Sequence, residues 1–413
     1  MTSECYVYIV PPGATMFVTA ARFVHETTND GSIGRFIYGR NYRRRPDAVE
    51  LDPIELRLRP EPFETARLGG FFGAIRDAMP DYWGRRVIEK RAGLTQLTEF
   101  DYLLHGPDDR AGALGFGRNR EPPAPRRTFN ATRDLERLQA AADAIVGDEP
   151  VSNGQLEDLM LLGTSMGGAR PKAVVQADDD LWLAKFGRPD DRFNNPRVEH
   201  GLLQLAAQAG LDVPDHRVVT IGDRDVLLVR RFDREPAPDG YRRHRLVSGL
   251  TLLQTDDSAT DRSRWSYILL ADEIRRASAD PRTDLAELFR RMVFNATISN
   301  LDDHPRNHAM LGKDFAWRLS PVFDLQPSPV VAQDRRDLAM QCGAYGRFAN
   351  RTNLLSREGR FQLTAEAAGE ACDRIVNTVR QAWYPTLRSA GVSETDCDAV
   401  APAFLYEGFF RES

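Results

Sequence analysis

Cysteine is scarce in this sequence of 413 residues: Cys5, Cys342, Cys372 and Cys397 stand far apart, and none belongs to a CxxC pair. That spacing supplies neither a disulfide framework nor the paired ligands of a structural zinc site, and it points to reduced thiols in a cytoplasmic protein. Long apolar runs are also missing. No stretch reaches membrane-spanning length, and the N-terminus lacks the basic segment and apolar run of a signal peptide, so the expectation is a soluble intracellular chain with no membrane contact. Positive charge is not in excess, because the formal net charge is −5, which argues against a nucleic-acid coat. The local basic runs RNYRRR (residues 40–45) and YRRHR (residues 241–245) read as solvated faces or small patches. Repeats and low-complexity tracts are absent too. With 42% hydrophobic and 28% charged residues, the composition is that of a globular chain with room for two or three domains.

Along the chain, short apolar runs between residues 5 and 58 are separated by Gly, Pro and Asn-Asp-Gly clusters, which predicts a small β-rich unit. The stretch 71–93 has helical spacing across Trp83, Val87 and Ile88, with Pro80 in an early-helix position and Asp77 near the start. Residues 100–116 are expected to continue as helix and then a Gly-rich turn, GALGFG. Residues 118–127, RNREPPAPRR, read as a linker, and 132–146 and 155–162 as helices. Strands are expected at 173–176, 182–186, 218–221 and 226–229, with one helix between them at 197–209. Residues 265–300 and 364–383 read as helical. The predicted fold is α+β in three parts: a β-rich subdomain over 1–125, a small lobe over 126–234 and a mostly helical large lobe over 235–413.

The stretch 295–324, NATISNLDDHPRNHAMLGKDFAWRLSPVFD, gathers Asp302, Asp303, His304, Asn307 and His308, followed across a short hairpin by Asp324. An aspartate, an asparagine five positions on and a further aspartate are what a kinase-like phosphotransferase needs. The first aspartate deprotonates the acceptor hydroxyl, and the amide oxygen with the second carboxylate holds Mg2+ against the phosphates. The same residue types also populate ordinary turns.

Other parts of such an enzyme follow in order. LGTSMGGARPK, residues 162–172, holds Gly163, Thr164, Ser165, Met166, Gly167 and Gly168 just before a strand. Its glycines allow the backbone N–H groups to form a phosphate nest, and a plain hairpin or helix-capping loop is the alternative. A hydroxyl there, Thr164 or Ser165, is placed to be phosphorylated and so to block ATP. Lys185, in the apolar run WLAKF, needs a partner, either a phosphate or Glu199 in the next helix, unless it snorkels from an edge strand. In VLLVRRFDR, residues 226–234, the backbone near Arg230 and Phe232 is placed to read adenine at a hinge. Two rivals stand beside this reading. One is a zinc hydrolase on His304, His308 and the adjacent aspartates, disfavoured by Pro305 and by the lack of an HExxH glutamate. The other is a pseudokinase-like module that binds a partner protein or nucleotide without turnover.

Taken together, PDYWGRRVIEKR, DDRAGALGFG, TSMGGARPK, WLAKF, VEHGLLQLAAQAGLDVP, RRFDR, NLDDHPRNH and WRLSPVFDL resemble the HipA-like serine/threonine kinases, the toxin halves of bacterial toxin–antitoxin pairs. The resemblance spans nearly the whole chain. It implies a two-lobed kinase-like fold with an additional β-rich N-terminal subdomain and a helical large lobe. It further implies Asp302 as catalytic base, Asn307 and Asp324 as Mg2+ ligands, Lys185 on an ATP phosphate and Ser165 as an inactivating autophosphorylation site. The implied substrate is a cellular protein such as an aminoacyl-tRNA synthetase, whose phosphorylation arrests growth. The implied partner is a HipB-like helix-turn-helix antitoxin, with DNA met only through it. Asp303 and Arg230 depart from the family's pattern. The first adds a charge beside the base that would bear on metal number, and the second bears on nucleotide preference.

Overall fold

The computed structural model describes residues 2–93, 97–152, 154–156, 170–258, 262–329 and 332–411. Two compact units divide them. The first comprises Met1–Pro189, Leu228–Asp256 and Met310–Trp317, and the second Asp190–Leu227, Asp257–Ala309 and Arg318–Ser413.

The first unit opens with an antiparallel sheet in the order Phe63–Thr65, Gly31–Tyr38, Val18–Thr28, Thr2–Ile9, Leu114–Gly117. The two-residue pleat of Gly31–Tyr38 alternates buried and exposed positions, turning Phe36 and Tyr38 into the core and Arg35 and Ile37 outward. There Phe23 packs on Phe71, Phe72 and Phe100. Only the start of GALGFG makes the expected turn, at Gly112, with its left-handed φ of 77°, and Ala113. The preceding helix, Glu99–His105, stops early, and Leu114–Gly117 is an edge strand paired with Thr2–Ile9. Packing is the reason for the glycine: a Cβ at Gly117 would lie 2.6 Å from the Tyr8 hydroxyl oxygen. Pro80 is likewise not in a first helical turn. Asp81 takes the N-cap of helix Tyr82–Ala92, accepting from Gly84 N at 2.8 Å, so Pro80 precedes the cap.

Two of the motifs that carry the family resemblance meet in this core. Arg231 and Arg234 of RRFDR face Asp109 of DDRAG and their own Asp233, in a four-charge network with side chains 0–1% exposed. Arg231 Nη1 lies 2.6 Å from Asp109 and Arg234 Nη2 2.9 Å from it, while Gly112 N donates to Asp233 at 2.8 Å. The expected strand pair is also here: Lys172–Ala177 runs antiparallel to Asp180–Phe186, with Lys172 opposite Lys185. Beside it, Arg231 N donates to Leu181 O at 2.8 Å, at the end of strand Arg224–Arg230.

The second unit is mainly helical. Helix Asn195–Gln208 is capped by Asn194, which accepts from Arg197 N at 3.1 Å, and is followed by strand His216–Ile221. Its remaining frame is helices Tyr267–Ala277, Pro281–Thr297 and Ala365–Ser389. Pro281 occupies the first turn of its helix, where a missing N–H leaves nothing unpaired, and Asp280 caps it. Leu285, Leu288, Phe289, Met292 and Val293 then recur at helical spacing and are wholly buried.

Candidate active site in the second unit

Helix Pro281–Thr297 delivers the chain to the candidate site. Just beyond it Ser299 turns the backbone with a left-handed φ of 48°. Its hydroxyl donates to Ala403 O and accepts from Arg336 Nη1, each at 2.7 Å, and its carbonyl accepts from Ser328 N at 3.0 Å. One residue thus ties the start of the Asp302 segment to the end of the Asp324 segment.

Within the loop, direction alternates. Asp302 is exposed, whereas Asp303, Asn307 and His308 are 3%, 6% and 1% exposed. Pro305 starts the three-ten turn Pro305–Asn307, so the proline that disfavours a regular helix through both histidines is what permits the tight turn. The Asp302 carbonyl accepts from His304 N at 2.8 Å and from Asn307 Nδ2 at 3.5 Å, which holds the asparagine amide beside the exposed aspartate.

Asp324 arrives by a hairpin of strands Ala309–Lys313 and Ala316–Leu319 and sits between main-chain anchors. Ser320 N donates to Ala309 O at 2.9 Å, Val322 N to Asp212 O at 2.8 Å, and Ser328 N to Ser299 O. Asp324 itself adopts a left-handed φ of 61°, a region Asp tolerates better than most residues and one that recurs where a side chain must be aimed. Partial desolvation by the surrounding loop raises the pKa of Asp302 above the usual aspartate value, although the residue reaches solvent. The charges of Asp324 and Asp303 raise it further, and His304 and Arg262 oppose them. Asp302 and Asp324 therefore feel each other's charge.

Asp303 is not a second carboxylate presented at this surface. The Tyr267 hydroxyl donates to its Oδ2, and His308 Nε2 lies 2.9 Å from the same oxygen. Its extra charge is held in the core, although it still acts on Asp302 through space. His308 is thereby committed to Asp303, while the His304 ring packs edge-on against Trp265 at 6.3 Å. Neither arrangement is that of a histidine pair on zinc.

The structure brings Asp302, Asn307 and Asp324 together in the second unit. Lys185, Arg230 and Phe232 belong to the first, and Glu199 to the second. Lys185 is half-buried on its strand opposite Lys172, whose own ammonium is neutralised by Asp81 at 2.6 Å. Arg230, also half-buried, pairs with Asp180 at 2.8 Å, so its charge is engaged along the strand. Gly163, Thr164, Ser165, Met166, Gly167 and Gly168 lie outside the described residues. Reading the sequence alone missed Tyr267, Asn295 and Asn300. Asn300 Nδ2 donates to Asn295 Oδ1 at 3.1 Å and Asn295 Nδ2 to Tyr267 Oη at 3.3 Å, a buried chain ending on Asp303. Its signal was faint: two asparagines bounding NATISN, where helix Pro281–Thr297 ends and every residue from 291 to 300 is buried.

Known proteins resemble this chain over most of its length. The HipA N-terminal domain family matches residues 19–117, and the HipA-like C-terminal domain family matches residues 164–383. A Sinorhizobium fredii protein named "Putative kinase Y4mE" is 27% identical over 349 residues, 78% of this chain and 79% of its own length. A second from that organism, "Putative kinase Y4dM", is 22% identical over 251 residues, 56% of this chain and 59% of its own. Among solved structures, the Shewanella oneidensis MR-1 toxin–antitoxin complex of HipA, HipB and operator DNA contains a chain that aligns over 97% of this one and 94% of itself. The TM-score is 0.68 and the identity 15%, a likeness of fold. The C-terminal match alone runs over more than half of the chain and contains Asp302, Asn307 and Asp324. With its α+β fold matched end to end, the chain belongs to the HipA-like family.

Proposed function

We propose that this chain is an ATP- and Mg2+-dependent serine/threonine protein kinase of the HipA type. The observation that carries the reading is the meeting, in one unit, of an exposed Asp302 of raised pKa with the Asp324 charge that helps raise it and the Asn307 amide bonded to its main chain. The names of the S. fredii relatives support it.

In this reading Asp302, ionised, accepts the proton of a serine or threonine hydroxyl as that oxygen attacks the γ-phosphate of ATP. Asn307 and Asp324 fit a hard cation, because both offer oxygen and a positive charge would relieve the repulsion between Asp302 and Asp324. Among the described residues no three His, Cys, Asp or Glu side chains form a metal cluster. Mg2+ asks for less, since it keeps several waters and takes one or two carboxylates together with substrate phosphates. When bound, Mg2+ neutralises charge on the transferring phosphates. Lys185 pairs with an ATP phosphate and Glu199 orients it. Gly163, Thr164, Met166, Gly167 and Gly168 cradle the phosphates, and the backbone at Arg230 and Phe232 reads the adenine. Phosphorylation of Ser165 would place about two negative charges where ATP binds and silence the enzyme.

The substrate is a cellular protein, with an aminoacyl-tRNA synthetase the first candidate, and its modification would arrest growth and favour persistence. The partner is a HipB-like helix-turn-helix antitoxin, in keeping with the composition of the Shewanella complex, and in this reading DNA is met only through it. The three-part division at 125 and 234 and a cytoplasmic location belong to the same reading. No helix among the described residues is long and apolar enough to cross a membrane.

The test is labelling with Mg2+ and γ-labelled ATP. Wild type labels Ser165, Asp302→Ala abolishes the label yet still binds ATP, and Asp324→Ala loses metal-dependent binding as well. A wild-type chain that binds ATP but labels neither itself nor any protein of a cell extract refutes the kinase reading.

A further inference from the structure

Asp303 and His308 close a loop around the residues that the reaction needs. The pair joins positions five apart through His308 Nε2 and Asp303 Oδ2, at 2.9 Å and with side chains 2% and 4% exposed. Asp302 stands immediately before this staple, and Asn307 is its last enclosed residue. Successive side chains at 302 and 303 point opposite ways, the first to solvent and the second into the core. Fixing the inner one therefore fixes the peptide plane between them, and with it the direction of the Asp302 side chain. The inner anchor is itself anchored. Tyr267 donates to Asp303 Oδ2, receives Asn295 Nδ2 at 3.3 Å, and its main-chain N–H bonds Gln341 O at 2.9 Å. The Tyr267 ring meets the His308 imidazole edge-on at 5.3 Å.

We propose that Asp303, held by His308 and Tyr267, is a positioning residue that sets the geometry between Asp302 and Asn307, and that its partners serve the reaction through it. The inference rests on the kinase reading above. A buried carboxylate is a costly way to fill this space unless both donors are present. With both in place it is stiffer than an apolar contact, because hydrogen bonds are directional where dispersion is not. A loop that must hold a base within hydrogen-bond reach of an acceptor hydroxyl gains from that stiffness, since small misplacements of reacting groups cost rate steeply.

His308→Leu and His308→Gln separate positioning from mere folding. Leucine removes the donor to Asp303, whereas glutamine can return one from its side-chain amide. In the full-length protein, turnover is the first-order rate of self-labelling, one event per molecule, followed with Mg2+ over a range of γ-labelled ATP concentrations up to saturation, with ATP affinity and melting temperature measured on the same samples. The expected result for His308→Leu and for Asp303→Asn is a fall in turnover of about tenfold or more, with the KM for ATP within about twofold. Glutamine at 308 restores most of that turnover. Tyr267→Phe, which keeps the ring and loses the donor, gives a smaller fall of the same kind and stands in should the leucine variant fail to fold. Full turnover in folded Asp303→Asn or Tyr267→Phe overturns the proposal, as does a loss in which turnover, ATP affinity and melting temperature fall together without rescue by glutamine. A wild-type chain that transfers no phosphate overturns the kinase reading, and the positioning role with it, and is told apart from those outcomes by the wild-type control alone.

Discussion

Lys172 Nζ lies 2.6 Å from Asp81 Oδ2, with side chains 3% and 4% exposed, so the lysine that follows the glycine-rich stretch answers a helix cap rather than solvent. Asp81 also caps helix Tyr82–Ala92 through Oδ1, and Trp83 Nε1 donates to Lys172 O at 3.1 Å. Removing the ammonium strands a buried carboxylate, which typically costs about 3–5 kcal/mol. Lys172→Met should therefore lower stability to urea far more than Arg351→Met, whose partner Asp373 is exposed and whose loss should cost about 0–1 kcal/mol. Equal denaturation midpoints for the two variants would contradict this account.

The raised pKa of Asp302 has two consequences of opposite benefit. As a base Asp302 works only when ionised, so the acid limb of the labelling rate should lie above the usual aspartate range. Arg262, which opposes the shift, should move that limb further up when replaced by methionine. Folding sees the other side. A carboxyl whose folded pKa is raised stabilises the fold when protonated and loses that contribution as the pH climbs through the folded value. In metal-free buffer Asp302→Asn should therefore melt higher than wild type at pH 7, with the gain shrinking toward pH 4, while losing phosphate transfer. A limb that stays put in Arg262→Met would show that the guanidinium does not reach the base.

Asp52 provides a sharper pH test in the first unit. Its Oδ1 accepts from Ile54, Glu55 and Leu56 N at 2.8, 2.6 and 3.2 Å, but its Oδ2 is buried with no hydrogen-bond partner among the described residues. Burial, aided by the Glu55 charge, pushes the Asp52 pKa up from 3.8 to about 6 despite those three donors. The sign follows as for Asp302: stability from this group is fully present below pH 3.8 and is lost as the pH rises through about 6. The amount is on the order of 3 kcal/mol. Asp52→Asn should flatten the pH dependence of unfolding of the first unit across that window. An unchanged slope would mean that Asp52 is ionised at little cost.

Much of this was legible in the sequence, and the physical reason differs by element. The order of two strands, a helix and two strands was readable because apolar periodicity switches sharply there. The grouping of Asp302, Asn307 and Asp324 was readable because their spacing is local. What was not readable depends on long-range packing. The second half of GALGFG looks like a continued turn until Phe17 and Tyr8 are seen to need the space that side chains at Gly115 and Gly117 would fill. Asp303 looks like a second surface charge until Tyr267, far away in sequence, is seen to donate to it. Lys172 and Asp81 are separated by 91 positions, and no local pattern announces their pairing.

The Arg231, Arg234, Asp109 and Asp233 network makes the last prediction, and its pH sign is the reverse of Asp52. Burial alone would raise both carboxyls, but the two guanidiniums overcome it and hold Asp109 and Asp233 below the usual aspartate range. Their contribution is thus present above about pH 4 and is lost as the pH falls through their lowered folded values. Arg231 donates to both carboxylates and to Arg110 O at 3.0 Å, so Arg231→Met removes the hub and leaves Arg234 to answer two negative charges. The expected cost is about 3–5 kcal/mol. It should be smaller in acid, where a carboxyl can take up a proton in place of its lost partner. Unfolding of Arg231→Met against wild type at pH 7.5 and pH 4.5 measures this directly. A gap between the two proteins that widens in acid would mean that packing around the arginine stem, and not its charge, carries the effect.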